Sequence, residues 1–292
     1  MQIKARKTIA YDEVIKLKKS NNMKFFIILF FLSSNVLLWG QQISGTVFGM
    51  NSDIPVEYVN IGIVGKNVGT VSDQNGKYTL QIKPEHYDDT LMFSCIGYHS
   101  YSVRVSDFVR MNNGNVSLEK RFYDLSEVVV RPKNVKSRTL GITTRGKMAA
   151  ACFTDSVRGG EIGVLMSNKN RAFIKEVNVN ISSCSYDTIF YRMNIHKVLD
   201  KMQFENILSN PVYVISTKEE VKDKITIDLR HLNLIVEGDF LVTFEHVKDL
   251  GKGRLCFHAN LFNKSYWRET SQGTWKTVPA GVSISVEVDV ER

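Results

Sequence analysis

Alternation with a period of two constrains this chain more than any other feature. Between Val282 and Val290 the apolar residues Val282, Ile284, Val286, Val288 and Val290 are interleaved with Ser283, Ser285, Glu287 and Asp289. A helix turns about 100° per residue and would scatter those five side chains around its axis, whereas a strand puts them on one face. The same pattern recurs at Ile43, Gly45 and Val47, at Val59, Ile61 and Ile63, at Tyr78, Leu80 and Ile82, and at Ile189, Tyr191, Met193 and Ile195. No segment shows a sustained repeat of 3.6. One-sided strands bury their apolar faces sheet against sheet, so the expected fold class is all-β, and 292 residues are enough for about two domains.

The formal charge of +8 raises the question of nucleic acid, and the position of the charges answers it. Met23-Lys24 precedes an apolar run from Phe25 to Leu32, then Ser33-Ser34-Asn35 and Val36 to Gly40, which reads as a secretory signal over 23–40 cut before Gln41-Gln42. Ser33-Ser34-Asn35 interrupts the run too early for a membrane anchor, and no cysteine marks a lipoprotein junction. Residues 1–22 read as a long n-region or a mistaken start. Seven basic and two acidic groups lie in residues 1–40, so without them the charge falls to +3. No nucleic-acid partner is expected, and the expected location is the periplasm or an outer-membrane association.

From 42 to 120 about seven short strands are separated by turn signals, as in a small sandwich. Asp73-Gln74-Asn75-Gly76 reads as the turn of a hairpin; the same Asp-x-Asn-Gly run opens calcium loops, but no glutamate completes that pattern. Four blocks then appear in order: Ile43-Ser44-Gly45-Thr46-Val47, Pro55 to Ile61, Gly69-Thr70-Val71-Ser72-Asp73-Gln74-Asn75-Gly76-Lys77-Tyr78, and Leu91-Met92-Phe93-Ser94-Cys95-Ile96-Gly97-Tyr98. On these blocks the segment resembles the carboxypeptidase regulatory-like domain, except that Tyr58-Val59 stands where the family usually has a small residue before the strand. The resemblance implies a seven-stranded transthyretin/Ig-like sandwich without peptidase chemistry, found at the start of exported and outer-membrane proteins of Bacteroidota. Leu125-Ser126-Glu127-Val128-Val129-Val130 resembles the segment that follows the domain in TonB-dependent receptors. Leu125, Glu127, Val128, Val129 and Val130 are therefore a candidate partner strand for an envelope or outer-membrane protein, beside the plainer reading of a last strand or linker. The chain is too short to hold a plug and barrel as well.

Residues 121–145, basic and aperiodic around Pro132, read as a linker. Lys147 to Phe153 fits a helical turn or a strand. From 146 to 292 seven or so further strands suggest a second sandwich of jelly-roll or related type, with a short turn near Asp200 to Leu208. Gly159-Gly160-Glu161-Ile162-Gly163 lacks the Lys-Ser/Thr of a phosphate loop.

Chemistry is sparse. Six histidines are scattered without metal-ligand spacing, and His246 and His258 read as polar-face residues of strands. No Gly-x-Ser-x-Gly elbow occurs, and paired carboxylates cannot be singled out by sequence. Cys95 reads as a core residue; Cys184 and Cys256 are either a disulfide or two buried thiols, with Cys152 left over. Tyr266, Trp267 and Trp275 flank Ser271-Gln272-Gly273, where a hairpin would display them as a glycan platform or pack Trp267 on Trp275. The expected function is a non-enzymatic, exported binding or assembly module without a cofactor. The alternatives are a carbohydrate-binding accessory protein and a hydrolase in 146–292, the latter requiring a cleft with converging carboxylates or histidines.

Overall fold

The structure is a computed structural model and describes residues 40–121, 134–146, 148–154 and 158–291. It is built almost entirely of strands. The N-terminal sandwich contains β1 (Gln41–Gly49), β2 (Asn60–Ile63), β3 (Gly69–Val71), β4 (Lys77–Ile82), β5 (Thr90–Ser94), β6 (Tyr101–Arg104) and β7 (Val116–Leu118). One sheet runs β4-β1-β7 and the other β3-β2-β5-β6. In β4 the period of two is visible directly, with Tyr78, Leu80 and Ile82 buried and Lys77, Thr79 and Gln81 exposed. These residues meet Val47, Ile61, Leu91, Phe93 and Leu118 in a core shared by both sheets.

Two expectations need correction here. β3 and β4 do not form a hairpin: they belong to opposite sheets, and Asp73 to Gly76 carries the chain between them. The turn chemistry is present, since the Asp73 carboxylate accepts from the amides of Asn75 and Lys77, and Gly76 adopts φ of +70°. Turn residues specify a reversal, but not which sheet the next strand joins. Val105, which continues the alternation of β6, instead opens a short helix α1 (Val105–Arg110) that buries Val105 and Phe108. Six residues are too few to show a helical period.

The C-terminal region contains β8 (Val135–Gly141), β9 (Ala149–Thr154), β10 (Glu161–Met166), β11 (Ala172–Cys184), β12 (Thr188–Asp200), β13 (Gln203–Asn206), β14 (Val212–Thr217) and β15 (Lys224–Asp228). It continues with β16 (Ile235–Val236), β17 (Phe240–Glu245), β18 (Arg254–Asn260), β19 (Ser265–Arg268), β20 (Lys276–Val278), β21 (Gly281–Val282) and β22 (Ile284–Glu291). One sheet has the order β13-β12-β17-β10-β19-β20, with β14 also on β12. The other runs β21-β18-β11-β22-β8 and adds β9, β15 and β16. Val282, Ile284, Val286, Val288 and Val290 all point into the core between the two sheets, against Tyr191, Met193, Val242 and Phe244.

The segment read as a linker contributes β8. Val135–Gly141 pairs with β22 along its whole length, although most of its side chains are exposed. Hydroxyl-to-carboxylate bonds across the ladder, Ser137 to Asp289 at 2.5 Å and Thr139 to Glu287 at 2.6 Å, take the place of apolar alternation. Lys147 to Phe153, left open as helix or strand, supplies β9. The turn near Asp200 to Leu208 is narrower than expected, with β13 inside it. The disulfide also differs: it joins Cys152 to Cys256, which lie opposite each other on β9 and β18. Cys184 is opposite Leu255 rather than Cys256, so the pleat turns it to the other face, and its thiol is free.

Candidate functional site

The site grows from the outer face of the seven-stranded sheet. On β12, Tyr191, Met193 and Ile195 face the core, which sends Arg192, Asn194 and His196 to the opposite side. In a sheet with one solvated face those three would be wet, yet all are buried. The N-terminal sandwich covers them. Registers across four strands line up Arg268 of β19, Glu161 of β10, Glu245 of β17 and Arg192 of β12 in a single row, a sequence of plus, minus, minus, plus. The next row on that face holds Gly163, opposite both Tyr266 and Thr243. A Cβ at Gly163 would fall 2.0 Å from the Val242 carbonyl oxygen and 2.5 Å from Thr243 Cγ2, so only glycine admits this strand spacing.

The two carboxylates behave differently. Glu161 Oε1 accepts from Asn194 Nδ2 at 2.9 Å, from His196 Nε2 at 2.9 Å and from the Thr243 hydroxyl. Its Oε2 accepts from Arg268 Nε at 2.8 Å and Nη2 at 2.6 Å. Burial alone would raise the Glu161 carboxyl, but Arg268, His196 and Thr243 more than reverse this and hold it far below the usual carboxylate range. Glu245 Oε2 accepts from Arg192 Nε at 3.0 Å, Arg192 Nη2 at 2.9 Å and Asn194 Nδ2 at 2.9 Å. Its Oε1 is buried and has no partner among the described residues. His196 is in the same condition. Because an ionised carboxylate only accepts, Nε2 carries the hydrogen shared with Glu161, and the buried Nδ1 is left without a partner.

Arg192 also fastens the two sandwiches together. Its Nη1 donates to the Tyr58 carbonyl at 2.8 Å and its Nη2 to Asn60 Oδ1 at 2.5 Å. Tyr58 itself, with φ of +50°, inserts its ring between Phe190 and Tyr213 at centroid distances of 5.1 and 5.5 Å. The departure from the family pattern at this position is therefore the residue that meets the second sandwich. Beside it, Gln272 Nε2 donates to Ser94 Oγ at 2.7 Å and the Gly65 amide to the Gln272 carbonyl at 2.9 Å. Gly62 and Gly69 face each other on β2 and β3, and a Cβ on either would fall 2.3 Å from the Ser271 carbonyl oxygen. Two side-chain-free positions thus let the 270–273 loop lie directly on the sheet.

A cavity of about 290 Å³ opens at this junction, with Asn60, Ser94 and Arg121 on the N-terminal side and Asn194, His196 and Glu245 on the C-terminal side. Cys95 also lines it, and burial pushes its thiol up to about 11. Cys95 is thus half-buried at the cavity rather than sealed in the core.

The residues singled out in sequence fall elsewhere. Leu125, Glu127, Val128, Val129 and Val130 lie outside the described residues. Tyr266, Trp267 and Trp275 do not share one face. Trp267 is opposite Lys276 on β20, whose ammonium lies 5.7 Å from its ring, while Trp275 packs on Phe204 at 5.2 Å beneath the Arg268 guanidinium. Phe204 in turn touches Tyr266 at 5.7 Å. Successive strand residues point to opposite faces, which separates Trp267 from Tyr266 and prevents both the three-ring platform and the packing of Trp267 on Trp275. His246 is not on a polar face either, being buried between Phe153 and Tyr191, while His258 Nδ1 meets the Gly146 carbonyl at 2.9 Å. No group of three or more His, Cys, Asp or Glu that could hold a metal is found among the described residues.

No curated protein matches the chain. Among solved structures, the VP2 subviral particle of infectious bursal disease virus is similar at a TM-score of 0.20 and 10% identity, over 87% of this chain and 66% of that one. The structure of the Gt strain of the same virus gives 0.19 and 10%, over 87% and 67%. Likeness this low carries no argument, and this chain spans about two thirds of the viral ones. The family comparison is specific, and it falls on the sandwich that carries Tyr58, Asn60 and the paired glycines: residues 43–130 of this chain are a CarboxypepD_reg-like domain.

Proposed function

We propose that this chain is an exported, non-enzymatic binding module in which a CarboxypepD_reg-like sandwich and a second sandwich jointly enclose a pocket for a small molecule. One observation carries the reading: a cavity of about 290 Å³ lies at the junction, lined by Asn60, Ser94 and Arg121 from the first sandwich and by Asn194, His196 and Phe204 from the second. Converging carboxylates and a histidine are what the hydrolase reading requires, but their bonding argues for holding rather than reacting. Glu161 is saturated by five donor contacts and kept ionised, and Glu245 is ion-paired to Arg192, so both carboxylates are engaged in holding the junction. No hydroxyl or thiol among the described residues is within hydrogen-bond distance of His196 Nδ1. Export, and a place at the envelope, rest on the apolar leader at 23–40 and on the kinds of protein in which such domains occur.

The test is thermal unfolding of the full chain, purified from the envelope fraction, against a panel of small neutral, cationic and anionic compounds. At least one compound should raise the midpoint in proportion to its concentration, and Ser100→Trp, which places an indole at the cavity rim, should abolish the rise. A panel without effect would overturn the pocket; a compound recovered chemically altered would overturn the non-enzymatic assignment.

A further inference from the structure

We infer that one end of the seven-stranded sheet docks on an anionic lipid bilayer, with two turns entering the headgroup layer and three lysines meeting its charge. The surface is separate from the junction pocket and does not depend on it.

Beyond the rows that the N-terminal sandwich covers, the outer face of this sheet continues as an apolar trough of about 590 Å³, floored by Leu165, Phe204 and Tyr266 and edged by Val198 and Met202. The turn between β12 and β13 stands on one side of the trough and the turn between β18 and β19 on the other. Both carry the same order of residues, Val198-Leu199-Asp200-Lys201 and Leu261-Phe262-Asn263-Lys264, two apolar side chains followed after one polar residue by a lysine. Of the ten large apolar side chains exposed among the described residues, four are in these two stretches. Single exposed apolar residues are ordinary, but such a concentration beside an apolar trough marks a contact surface. Phe262 is 92% exposed on a turn that is well held: its amide donates to Asn260 Oδ1 at 2.8 Å and the Asn263 amide donates to the Asn260 carbonyl at 3.3 Å. The ring is therefore displayed by the fold.

Charge selects what covers this surface. Lys201, Lys264 and Lys276 line the trough against a single carboxylate, Asp200. None of the three is ion-paired among the described residues, in contrast to Lys197, which meets Glu205 at 2.7 Å. The Lys264 and Lys276 ammonium groups lie 5.5 and 5.7 Å from the rings of Tyr266 and Trp267. Ammonium groups on apolar stems, set among exposed apolar side chains, suit a boundary between water and hydrocarbon, where the rings and stems sink and the charges stay level with phosphate. Protein interfaces are instead depleted in lysine. A single-chain amphiphile would fill the trough and leave Leu199 and Phe262 in water, whereas a bilayer covers the trough and both turns together. The positive sign calls for anionic lipid, and each lysine near such a surface favours partition by about fivefold.

Flotation of the full chain, purified from the envelope fraction, tests this with vesicles of phosphatidylcholine alone and of equal parts phosphatidylcholine and phosphatidylglycerol. The anionic vesicles should bind about tenfold or more better than the neutral ones, and added salt should weaken that binding. Leu199→Asp with Phe262→Asp should lower it about tenfold or more, and Lys201→Gln with Lys264→Gln and Lys276→Gln should remove the preference for anionic lipid. All five positions are exposed, so both variants should unfold at the same temperature as the parent. Equal binding to the two kinds of vesicle, or none to either, would overturn the inference. So would binding unaffected by the aspartates, which would place the contact elsewhere in the chain, the apolar stretch at 23–40 included. Sedimentation without lipid and titration with laurate separate the other occupants. A dimer that Phe262→Asp dissociates would assign the surface to a second copy, and laurate bound by a chain that ignores vesicles would assign it to a single-chain amphiphile; both would overturn the bilayer.

Discussion

The two faces of the seven-stranded sheet are equally buried and chemically opposite. Towards the eight-stranded sheet it presents Tyr191, Met193, Ile195, Val242 and Phe244, and towards the N-terminal sandwich it presents Arg192, Asn194, His196, Thr243 and Glu245. The apolar face needs only shape and volume, and it tolerates conservative exchange. The polar face functions only if almost every donor and acceptor is matched, and it fixes one docking geometry: moving the N-terminal sandwich by an ångström or two would strand Arg192 between Tyr58, Asn60 and Glu245. The core face therefore supplies the bulk of the stability, and the junction face supplies specificity.

Breaking the junction on one side only should have the largest effect. Arg192→Met leaves Glu245 buried and uncompensated, and should cost about 3–5 kcal/mol in urea unfolding. Arg192→Met with Glu245→Leu should recover most of that loss; if the double variant is as unstable as the single one, the junction depends on shape and not on charge. On the other side of the comparison, the disulfide ties β9 to β18 within the eight-stranded sheet across a separation of 104 residues, and Cys152→Ser with Cys256→Ser should cost about 2–4 kcal/mol while leaving the two sandwiches coupled in a single unfolding transition. Gly62→Ala pushes a methyl against the Ser271 carbonyl and should cost about 1–3 kcal/mol, with a single calorimetric transition splitting into two as the sandwiches uncouple. A single unchanged transition would show that the 270–273 loop yields. The gentlest probe is pH. Glu161 has a folded-state pKa below its unfolded value of about 4.3, so its contribution is complete above that value and drains away as pH falls towards the folded pKa. Glu161→Gln should flatten the stability curve below about pH 5 and leave its slope near neutrality unchanged.

How much of this was legible in the sequence follows from the same contrast. Strands with one wet face announce themselves, and β4 and β22 were read residue by residue. The alternation of β12 is equally visible, but alternation says only that two faces differ, and nothing in a single strand shows what lies above Arg192, Asn194 and His196. β8 was missed because hydroxyls and carboxylates, rather than apolar side chains, secure it. The Cys152–Cys256 bridge depends on register, which spacing does not encode. One clue was present: Tyr58 breaks the pattern of the family at a position where a large ring is useful only against a neighbour. Glu161 offered a second, a single charge set among the glycines 159, 160 and 163.

The placement of β22 has a consequence for how the protein is made. This strand lies between β11 and β8, so Ser137 meets Asp289 152 residues further along the chain. A polypeptide emerging from its amino end must carry β8 without a partner through almost the whole of its passage, and the last strand to arrive is also the one that joins the two parts of the sheet. Assembly is consequently late and all-or-none, dominated by long-range closure. The interval before that closure is when the molecule is most exposed to capture by chaperones or proteases, and a chain cut short by a few residues would lose a central strand and not an ornament.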